Sequence, residues 1–391
     1  MLSKIIKLPS LSLVTCIIFI SVLSSTMLPI YSSSFVQIEE SSSGGCITYD
    51  SEERIVTVNC KSANLTDIDN QLKDSRILHK ENSTKNDTIW LLNAAIVVAK
   101  DATLYINSTD TSWLKIVSDR EGANGIHVLG GLKIDSVKIT SWNLKTNSYA
   151  LTNEDGTIPR PFIRAEPGAT DTIDIINSEI AYLGYGVQVK EDSNKRRSGV
   201  VYYGGDNSTV KGNRIHDNMF GFYSNGVGGL ILEDNYVYNN YVYGFDAHTG
   251  THNVIIRNNT VYDTLHMGII CSVDCYNIII EDNEIYNNTD AGIMFSRNMY
   301  DSVARNNYVH DEKRCIFVSQ SHDNEIYNNR VSNCENGIQL QHDSSDNKIY
   351  NNTVLNSENS IRDETDSNDN TFQLNTRAKA SEDGYRTQGQ P

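Results

Sequence analysis

Polar and apolar positions recur along the second half of the chain with a period of about 23 residues. Each repeat has an asparagine ahead of a short segment in which apolar and polar residues alternate. The leading asparagines are Asn213, Asn235, Asn259, Asn283, Asn307, Asn329 and Asn352, at spacings of 22, 24, 24, 24, 22 and 23 residues. A second position follows eight or nine residues later and is usually glycine, at Gly221, Gly244, Gly268, Gly292, Cys315, Gly337 and Ser360. A fixed period of this length predicts a solenoid of stacked coils.

The residues after each glycine alternate with a period of two, which predicts strands rather than helices. The first and third residues are apolar or small and should point inward, while the second and fourth should point outward. The first residues include Phe245, Ile269, Ile293, Ile316 and Ile338, which we expect to form one buried stack. About three strands per coil, each paired in parallel with the next coil, give an all-β fold, a right-handed single-stranded parallel β-helix. The asparagine row then becomes a ladder of stacked amides at an inner turn.

The repeat also sets the expected domain boundaries. We place the β-helix at residues 87–375 and a polar, disordered tail at residues 376–391. Residues 32–86 are expected to cap the N-terminal end, because a solenoid must cover its open apolar end. In this cap the sequence predicts a hairpin with a turn at Ser51 to Arg54, and a short helix near Leu65 to Leu78.

Residues 1–31 predict export. Lys4 and Lys7 precede an almost uncharged apolar run from Leu11 to Ile30, which is typical of a signal peptide and is also long enough for an uncleaved membrane anchor. Either alternative places the remaining chain outside the cytoplasm, secreted or at the cell surface. A membrane is an expected partner only if the segment stays as an anchor.

Outside the cytoplasm, cysteines can form disulfides. The predicted hairpin brings Cys46 opposite Cys60, and we expect a disulfide between them. Two further pairs, Cys271 with Cys275 and Cys315 with Cys334, are left open by the sequence.

Composition narrows the class of protein. The 391 residues are 39% hydrophobic and 21% charged, which excludes a disordered chain and a membrane bundle. The formal net charge of −16 would repel a phosphate backbone, so we expect no nucleic-acid partner. We expect a monomer without a cofactor and assign no metal ligands. The many Asp and Asn residues leave Ca²⁺ open, but the sequence has neither an EF-hand loop nor a nonapeptide calcium repeat.

The outward positions hold one acid and one base, Asp246 and His248, on the same coil and about 7 Å apart along the strand. Tyr243 precedes Gly244, so this coil presents the sequence YGFDAH. Further residues are expected to bind substrate on the same face: Tyr203, Tyr223, Asn225, His266, Ser272 and Arg297. Tyrosines along a groove suit stacking on sugar rings, which favours a polysaccharide as the ligand.

The sequence around this coil resembles the mannuronan C5-epimerases, or alginate epimerases, a family of parallel β-helix enzymes with a Y-G-Φ-D-P-H motif. The likeness rests on YGFDAHTGTHNVIIRNNTVYDT and MGIICSVDCYNIIIEDN and extends over about Ile176 to Asp311. It implies that Tyr243, Asp246 and His248 correspond to the catalytic tyrosine, aspartate and histidine of that family.

The chain departs from the family pattern at three positions. Ala247 replaces the proline of the motif, and Thr249 stands where many relatives have an acidic residue. Val273 stands where some bacterial members carry an arginine that is thought to neutralise the substrate carboxylate. Arg297 follows 24 residues later, one coil further along, and is placed to take over that role.

These residues predict acid–base chemistry at C5 of a uronate in an anionic polysaccharide or cell-surface glycan. The C5 proton becomes removable when the carboxylate is neutralised, and epimerisation needs a base on one face of the sugar and a proton donor on the other. His248 and Tyr243 can take these roles in either order. A polysaccharide lyase shares the first step and then expels the C4 oxygen. A non-catalytic glycan-binding or surface-layer β-helix is the remaining alternative.

Overall fold

A computed structural model of the chain describes residues 45–84, 87–118, 124–152, 159–186, 198–367 and 369–378. These residues form an all-β parallel solenoid of about 11 turns, with one α-helix in this described part. The apolar segment at residues 1–31 lies outside the described residues. Within the described ranges, no helix has the length and apolarity needed to cross a bilayer.

Each turn of the solenoid contributes one strand to each of three sheets. Sheet A has 13 strands: β1 (Ile47–Asp50), β2 (Ile55–Val58), β6 (Ala95–Val98), β9 (Ile126–Val128), β12 (Ile163–Ala165), β15 (Gly199–Tyr202), β18 (Phe220–Asn225), β21 (Phe245–His248), β24 (Met267–Ser272), β27 (Ala291–Ser296), β30 (Arg314–Ser319), β33 (Asn336–Gln341) and β36 (Asn359–Glu364). Sheet B has 12 strands: β3 (Ala63–Asn64), β7 (Thr103–Asn107), β10 (Gly131–Asp135), β13 (Ile173–Ile176), β16 (Thr209–Lys211), β19 (Ile231–Glu233), β22 (His252–Arg257), β25 (Tyr276–Glu281), β28 (Val303–Arg305), β31 (Glu325–Tyr327), β34 (Lys348–Tyr350) and β37 (Thr371–Gln373). Sheet C has 13 strands: β4 (Leu78–Thr84), β5 (Asp87–Leu92), β8 (Trp113–Val117), β11 (Lys138–Trp142), β14 (Glu179–Ala181), β17 (Arg214–His216), β20 (Tyr236–Tyr238), β23 (Thr260–Tyr262), β26 (Glu284–Tyr286), β29 (Tyr308–His310), β32 (Arg330–Ser332), β35 (Thr353–Leu355) and β38 (Thr376–Ala378).

The predicted inward stack is confirmed. Phe245, Ile269, Ile293, Ile316 and Ile338 are fully buried and pair in register from one coil to the next. They belong to one continuous apolar core that includes residues of all three sheets. Because side chains alternate along a strand with a period of two, this register also fixes which residues lie on the outer face of sheet A.

The predicted asparagine ladder is confirmed at the turn between sheets B and C. From Asn213 to Asn352, the backbone N–H and the side-chain Nδ2 of each asparagine both donate to Oδ1 of the asparagine one coil further along. Each Nδ2 also donates to a backbone carbonyl of the preceding coil, such as Leu232 O for Asn259 at 2.9 Å. The buried amides are therefore satisfied entirely within the protein.

The N-terminal end carries the predicted hairpin and a shorter helix than expected. β1 and β2 pair antiparallel, and the disulfide between Cys46 and Cys60 is confirmed, with 4.9 Å between the Cα atoms. The helix α1 (Leu65–Leu72) ends where Lys73 adopts a left-handed backbone with φ of 50°. The chain then forms β4, which starts at Leu78 and pairs antiparallel with β5, so the expected extension of the helix to Leu78 is wrong.

Parallel stacking extends beyond the expected limits at both ends. It begins before residue 87, since β2 pairs with β6 and β3 pairs with β7. It continues into the segment expected to be a disordered tail, because β38 pairs with β35. The asparagine ladder explains this extension: Asn375 Oδ1 accepts from Asn352 at 3.0 Å and holds one more coil in place. Residues 379–391 lie outside the described residues.

The remaining cysteines fall into two states. Cys315 and Cys334 form a second disulfide, while Cys271 and Cys275 are free thiols buried in the core. The sequence left both pairs open because neither pair lies in a predicted hairpin.

An ionisable side chain occupies a buried turn between sheets C and A. Glu312 is 5% exposed, and its Oε1 accepts from the backbone N–H and Nδ2 of Asn288, at 3.2 and 2.7 Å. Oε1 of Glu312 thus accepts the same two hydrogen bonds that Oδ1 of an asparagine accepts in the asparagine ladder. Burial raises the pKa of Glu312 from 4.5 to about 8, so the group is protonated at neutral pH.

Ile293→Ala should lower the free energy of unfolding by about 2–4 kcal/mol, because it leaves a cavity in a close-packed core. Leu265 is 46% exposed, so Leu265→Ala should change that free energy by less than about 0.5 kcal/mol. Chemical denaturation followed by circular dichroism measures both changes. If both variants lost an equally small amount of unfolding free energy, the result would contradict the buried stack.

Glu312→Gln should remove a pH dependence of stability. Between pH 4.5 and about 8, the native state holds a proton on Glu312 that the unfolded chain has lost. The stability contributed by Glu312 is therefore complete below pH 4.5 and is lost as the pH rises towards 8. A glutamine cannot ionise, so the variant should gain up to about 5 kcal/mol over the wild type at the upper end of this range.

Thermal unfolding at several pH values measures this effect. Glu335→Gln, at an exposed neighbouring glutamate, is the matched control and should leave the pH dependence of the wild type in place. If the unfolding temperatures of the wild type and of Glu312→Gln changed with pH in the same way, the buried carboxyl would not hold its proton.

Candidate functional site

The predicted outward residues lie side by side on the outer face of sheet A. The pairing of β18, β21 and β24 places two rows across the central coil, Tyr223–Asp246–Ile270 and Asn225–His248–Ser272. The acid and the base are thus flanked by an aromatic ring and an amide on one side, and by an aliphatic side chain and a hydroxyl on the other.

This part of the outer face is more covered than expected. Asp246, Tyr223 and Ser272 are each 0% exposed, although they lie on the opposite face of the strands from the core. A second, smaller apolar cluster packs here, formed by Val201, Met219, Phe220, Tyr223 and Val242 and flanked by Tyr203, Tyr241 and Tyr243. These three residues point away from the core, as the register predicts, and are nevertheless fully buried.

The imidazole of His248 is held from two directions. Its Nδ1 lies 2.5 Å from Oγ1 of Thr249, and its Nε2 lies 3.4 Å from Nη2 of Arg297. A guanidinium can only donate, so Nε2 must be the accepting nitrogen and Nδ1 carries the proton. The ring of Tyr223 lies 5.7 Å from the imidazole between centroids. His248 is therefore arranged as a neutral imidazole whose basic nitrogen points at Arg297.

Arg297 reaches the site from two coils further along. Its backbone is left-handed, with φ of 53°, at the turn position that Val273 occupies one coil earlier with φ of 65°. Its Nε donates to Oγ of Ser272 at 2.9 Å, and its Nη2 faces His248. Within the described part of the chain, Arg297 forms no ion pair with a carboxylate. Its positive charge is available for an anionic group at this position.

The predicted tyrosines line the same face in two groups. Tyr203 lies 6.0 Å from Tyr223, whose hydroxyl accepts from Nδ2 of Asn225 at 3.0 Å. Tyr243 packs edge-on against Phe220 at 5.4 Å and lies 6.2 Å from the ring of His266, which is exposed. Phe220 also contacts Tyr223 at 5.9 Å and so links the two groups.

One charged cluster on this face was not predicted. The guanidinium of Arg164 lies over the ring of Tyr203 at 4.7 Å, and its Nε is 3.0 Å from Oε2 of Glu166. Oε1 of Glu166 is 2.7 Å from Nδ1 of His127. These residues lie on β9, on β12 and directly after β12, where the regular 22- to 24-residue spacing does not hold. Sequence spacing alone therefore could not align them with the site.

Three parallel sheets wound into one solenoid define the class as the parallel β-helix proteins. The family model described as "Periplasmic copper-binding protein (NosD)" matches residues 186–385, just over half of the 391 residues. The chain belongs to this family. No curated protein matches the chain in sequence.

Solved structures share the fold at low identity. The crystal structure of the periplasmic alginate epimerase AlgG is 19% identical, with a TM-score of 0.69, and the match covers 84% of this chain and 85% of that one. A double mutant of AlgG is 18% identical, with a TM-score of 0.70 and coverage of 84% and 85%. The resemblance seen in the sequence is therefore confirmed for the fold, and identities this low show the fold alone.

The described residues do not fit the copper site that the family description names. Among them, no group of three or more His, Cys, Asp or Glu side chains is placed to hold a metal ion. Copper(I) favours thiolate ligands, but the free thiols of Cys271 and Cys275 are buried, and burial raises the pKa of Cys275 to about 12 and that of Cys271 well above its usual value. Both thiols therefore stay protonated at neutral pH, and neither supplies a thiolate for copper.

Proposed function

We propose that this protein modifies a uronate-containing polysaccharide outside the cytoplasm and inverts the sugar at C5. The observation that carries the proposal is the contact between His248 and Arg297. A neutral imidazole presents its basic nitrogen to a cation, and Arg297 has no carboxylate partner in the described chain. A base beside an anion-binding group is the pair that proton removal next to a carboxylate requires.

The first step is removal of the C5 proton. Arg297 turns from His248 to the substrate carboxylate and neutralises it, which also exposes Nε2. The C5–H bond then breaks, the proton goes to Nε2 of His248, and the electron pair is delocalised into the carboxylate. Asp246 is buried on the same strand, and we assign it a part in holding the substrate carboxylate.

The second step returns a proton to the opposite face of the sugar. Tyr243 is the assigned donor, because it lies on the same coil and its ring is held by Phe220. The phenol gives its proton to C5 and becomes a phenolate, while His248 holds the abstracted proton. Exchange of protons with water then restores both groups. Tyr203, Tyr223 and Asn225 are assigned to bind neighbouring sugars, by ring stacking and hydrogen bonds.

The proposed location and partner follow from independent features. Two disulfides suit a compartment in which cysteines oxidise, and the description of the family is periplasmic. AlgG is described as an alginate epimerase, which supports an anionic polysaccharide as the partner. We keep the expectation of a secreted or cell-surface protein.

Deuterium exchange tests the reaction directly. The protein is incubated with polyuronates in D₂O, and NMR should show deuterium at C5 together with inverted sugars. Unsaturated uronate, seen by its ultraviolet absorption, would instead identify a lyase, which shares the first step. A polysaccharide that binds but is not altered would make the protein a glycan-binding β-helix and would sink the proposal.

Substitutions separate the roles of the three groups. His248→Ala should slow exchange about 10²- to 10⁴-fold, because the base is lost, and Tyr243→Phe should have a comparable effect. Arg297→Gln should both weaken binding and slow exchange, by about 10²- to 10³-fold in rate. His342→Ala and Tyr262→Phe, on other parts of the surface, are matched controls that should keep wild-type exchange. Wild-type turnover by His248→Ala would rule out both the epimerase and the lyase mechanism.

A further inference from the structure

We infer that Thr249 is a positioning residue that fixes the tautomer of His248. The effect of Thr249 on catalysis rests on the proposed function. Its effect on the tautomer of His248 does not. The inference is based on the 2.5 Å contact between Oγ1 of Thr249 and Nδ1 of His248.

The contact of Arg297 with Nε2 determines the direction of this hydrogen bond. A hydroxyl can donate or accept, so the contact with Thr249 alone leaves the proton unassigned. The guanidinium of Arg297 at Nε2 is a donor only, which requires the lone pair on Nε2. Nδ1 then carries the proton and donates it to Thr249. Orientation of a histidine through its second nitrogen is how proteins keep the other nitrogen available for chemistry.

The backbone at Thr249 is held in a conformation that a threonine rarely adopts. Its φ of 41° lies in the left-handed region, which is a genuine outlier for a β-branched residue. The turn is held by the backbone N–H of Thr249, which donates to Ser272 O at 2.9 Å, and by Oγ1 of Thr251, which donates to His248 O at 2.8 Å. Strain of this kind persists where surrounding structure enforces it, commonly at functional sites.

The same turn position supplies both partners of the imidazole. Thr249, Val273 and Arg297 occupy it in successive coils, with φ of 41°, 65° and 53°. Thr249 reaches Nδ1 from the coil of His248 itself, and Arg297 reaches Nε2 from two coils further along. Val273, between them, has no hydrogen-bonding group and does not compete for either nitrogen. One repeated turn therefore places an acceptor and a donor on opposite sides of one ring.

The hydroxyl of Thr249 differs in charge from a carboxylate, the other oxygen acceptor that could hold Nδ1–H. A carboxylate would hold the proton on Nδ1 and would also stabilise the positive charge of the protonated ring. Thr249 supplies the orientation without that charge. Its role is thus to keep Nε2 unprotonated and aimed at the substrate.

Nitrogen-15 NMR of histidine-labelled protein reports the tautomer without any substrate. The signals of His248 are identified by their loss in His248→Ala. In the wild type, Nδ1 should have the shift of a protonated nitrogen and Nε2 that of an unprotonated one. Thr249→Val removes the hydroxyl but keeps the branched shape, and should lower the ratio of the Nδ1–H to the Nε2–H form about three- to tenfold. Thr249→Ser, which keeps the hydroxyl, should restore the wild-type signals.

Thr249→Gly distinguishes positioning from a structural role. Glycine relieves the backbone strain, so this variant should fold at least as well as the wild type and yet show the same tautomer change as Thr249→Val. In deuterium exchange, Thr249→Val should lower kcat by up to the same three- to tenfold factor, with little change in KM. Protonated Nε2 in the wild type, or an unchanged tautomer in Thr249→Val and Thr249→Gly, would overturn the inference. If the wild type exchanged no polysaccharide, the proposed function would fail while the NMR result still decided the role of Thr249.

Discussion

The asparagine ladder between sheets B and C is the constraint on which the rest of the structure depends. Each amide accepts two hydrogen bonds from the preceding coil through one oxygen, and its Nδ2 donates both to the next coil and to a backbone carbonyl. A turn that buries its backbone must satisfy every N–H and C=O, and an asparagine does so in each coil from Asn213 to Asn352. The ladder therefore fixes the register between successive coils, while the coil length varies from 22 to 24 residues.

A fixed register leaves the outer faces free to vary. The inward rows must fill the core, so they are mostly Ile, Val, Leu and Phe, whereas outward positions can exchange polar, aromatic and ionisable residues without loss of the fold. Glu312 shows how far this tolerance reaches, because even a buried carboxyl is accepted where it reproduces the oxygen of an amide. In a β-helix, one coil can therefore carry reactive side chains while the neighbouring coils have only a structural role.

The candidate site illustrates how such a coil acquires its chemistry. His248 and Asp246 come from one strand, but the groups that control the imidazole come from equivalent turns two coils apart. In a solenoid, residues separated by whole repeats are neighbours in space, because coils stack at about 4.8 Å. Thr249, Val273 and Arg297 are therefore linked by one turn position: Thr249 contacts Nδ1 of His248 from the same coil, and Arg297 contacts Nε2 from two coils further along.

The sequence alone determined the parallel β-helix, the buried stack, the amide ladder and the Cys46–Cys60 disulfide, since each follows from a short periodic pattern or a local hairpin. It also placed Asp246, His248 and Arg297 on one face, because register follows from period. Only the tertiary structure decided how far Arg297 reaches, which groups contact each imidazole nitrogen, and that Asp246 is buried beside Tyr223 of a second apolar cluster. These features depend on side-chain conformations and on packing between coils, which periodicity does not encode.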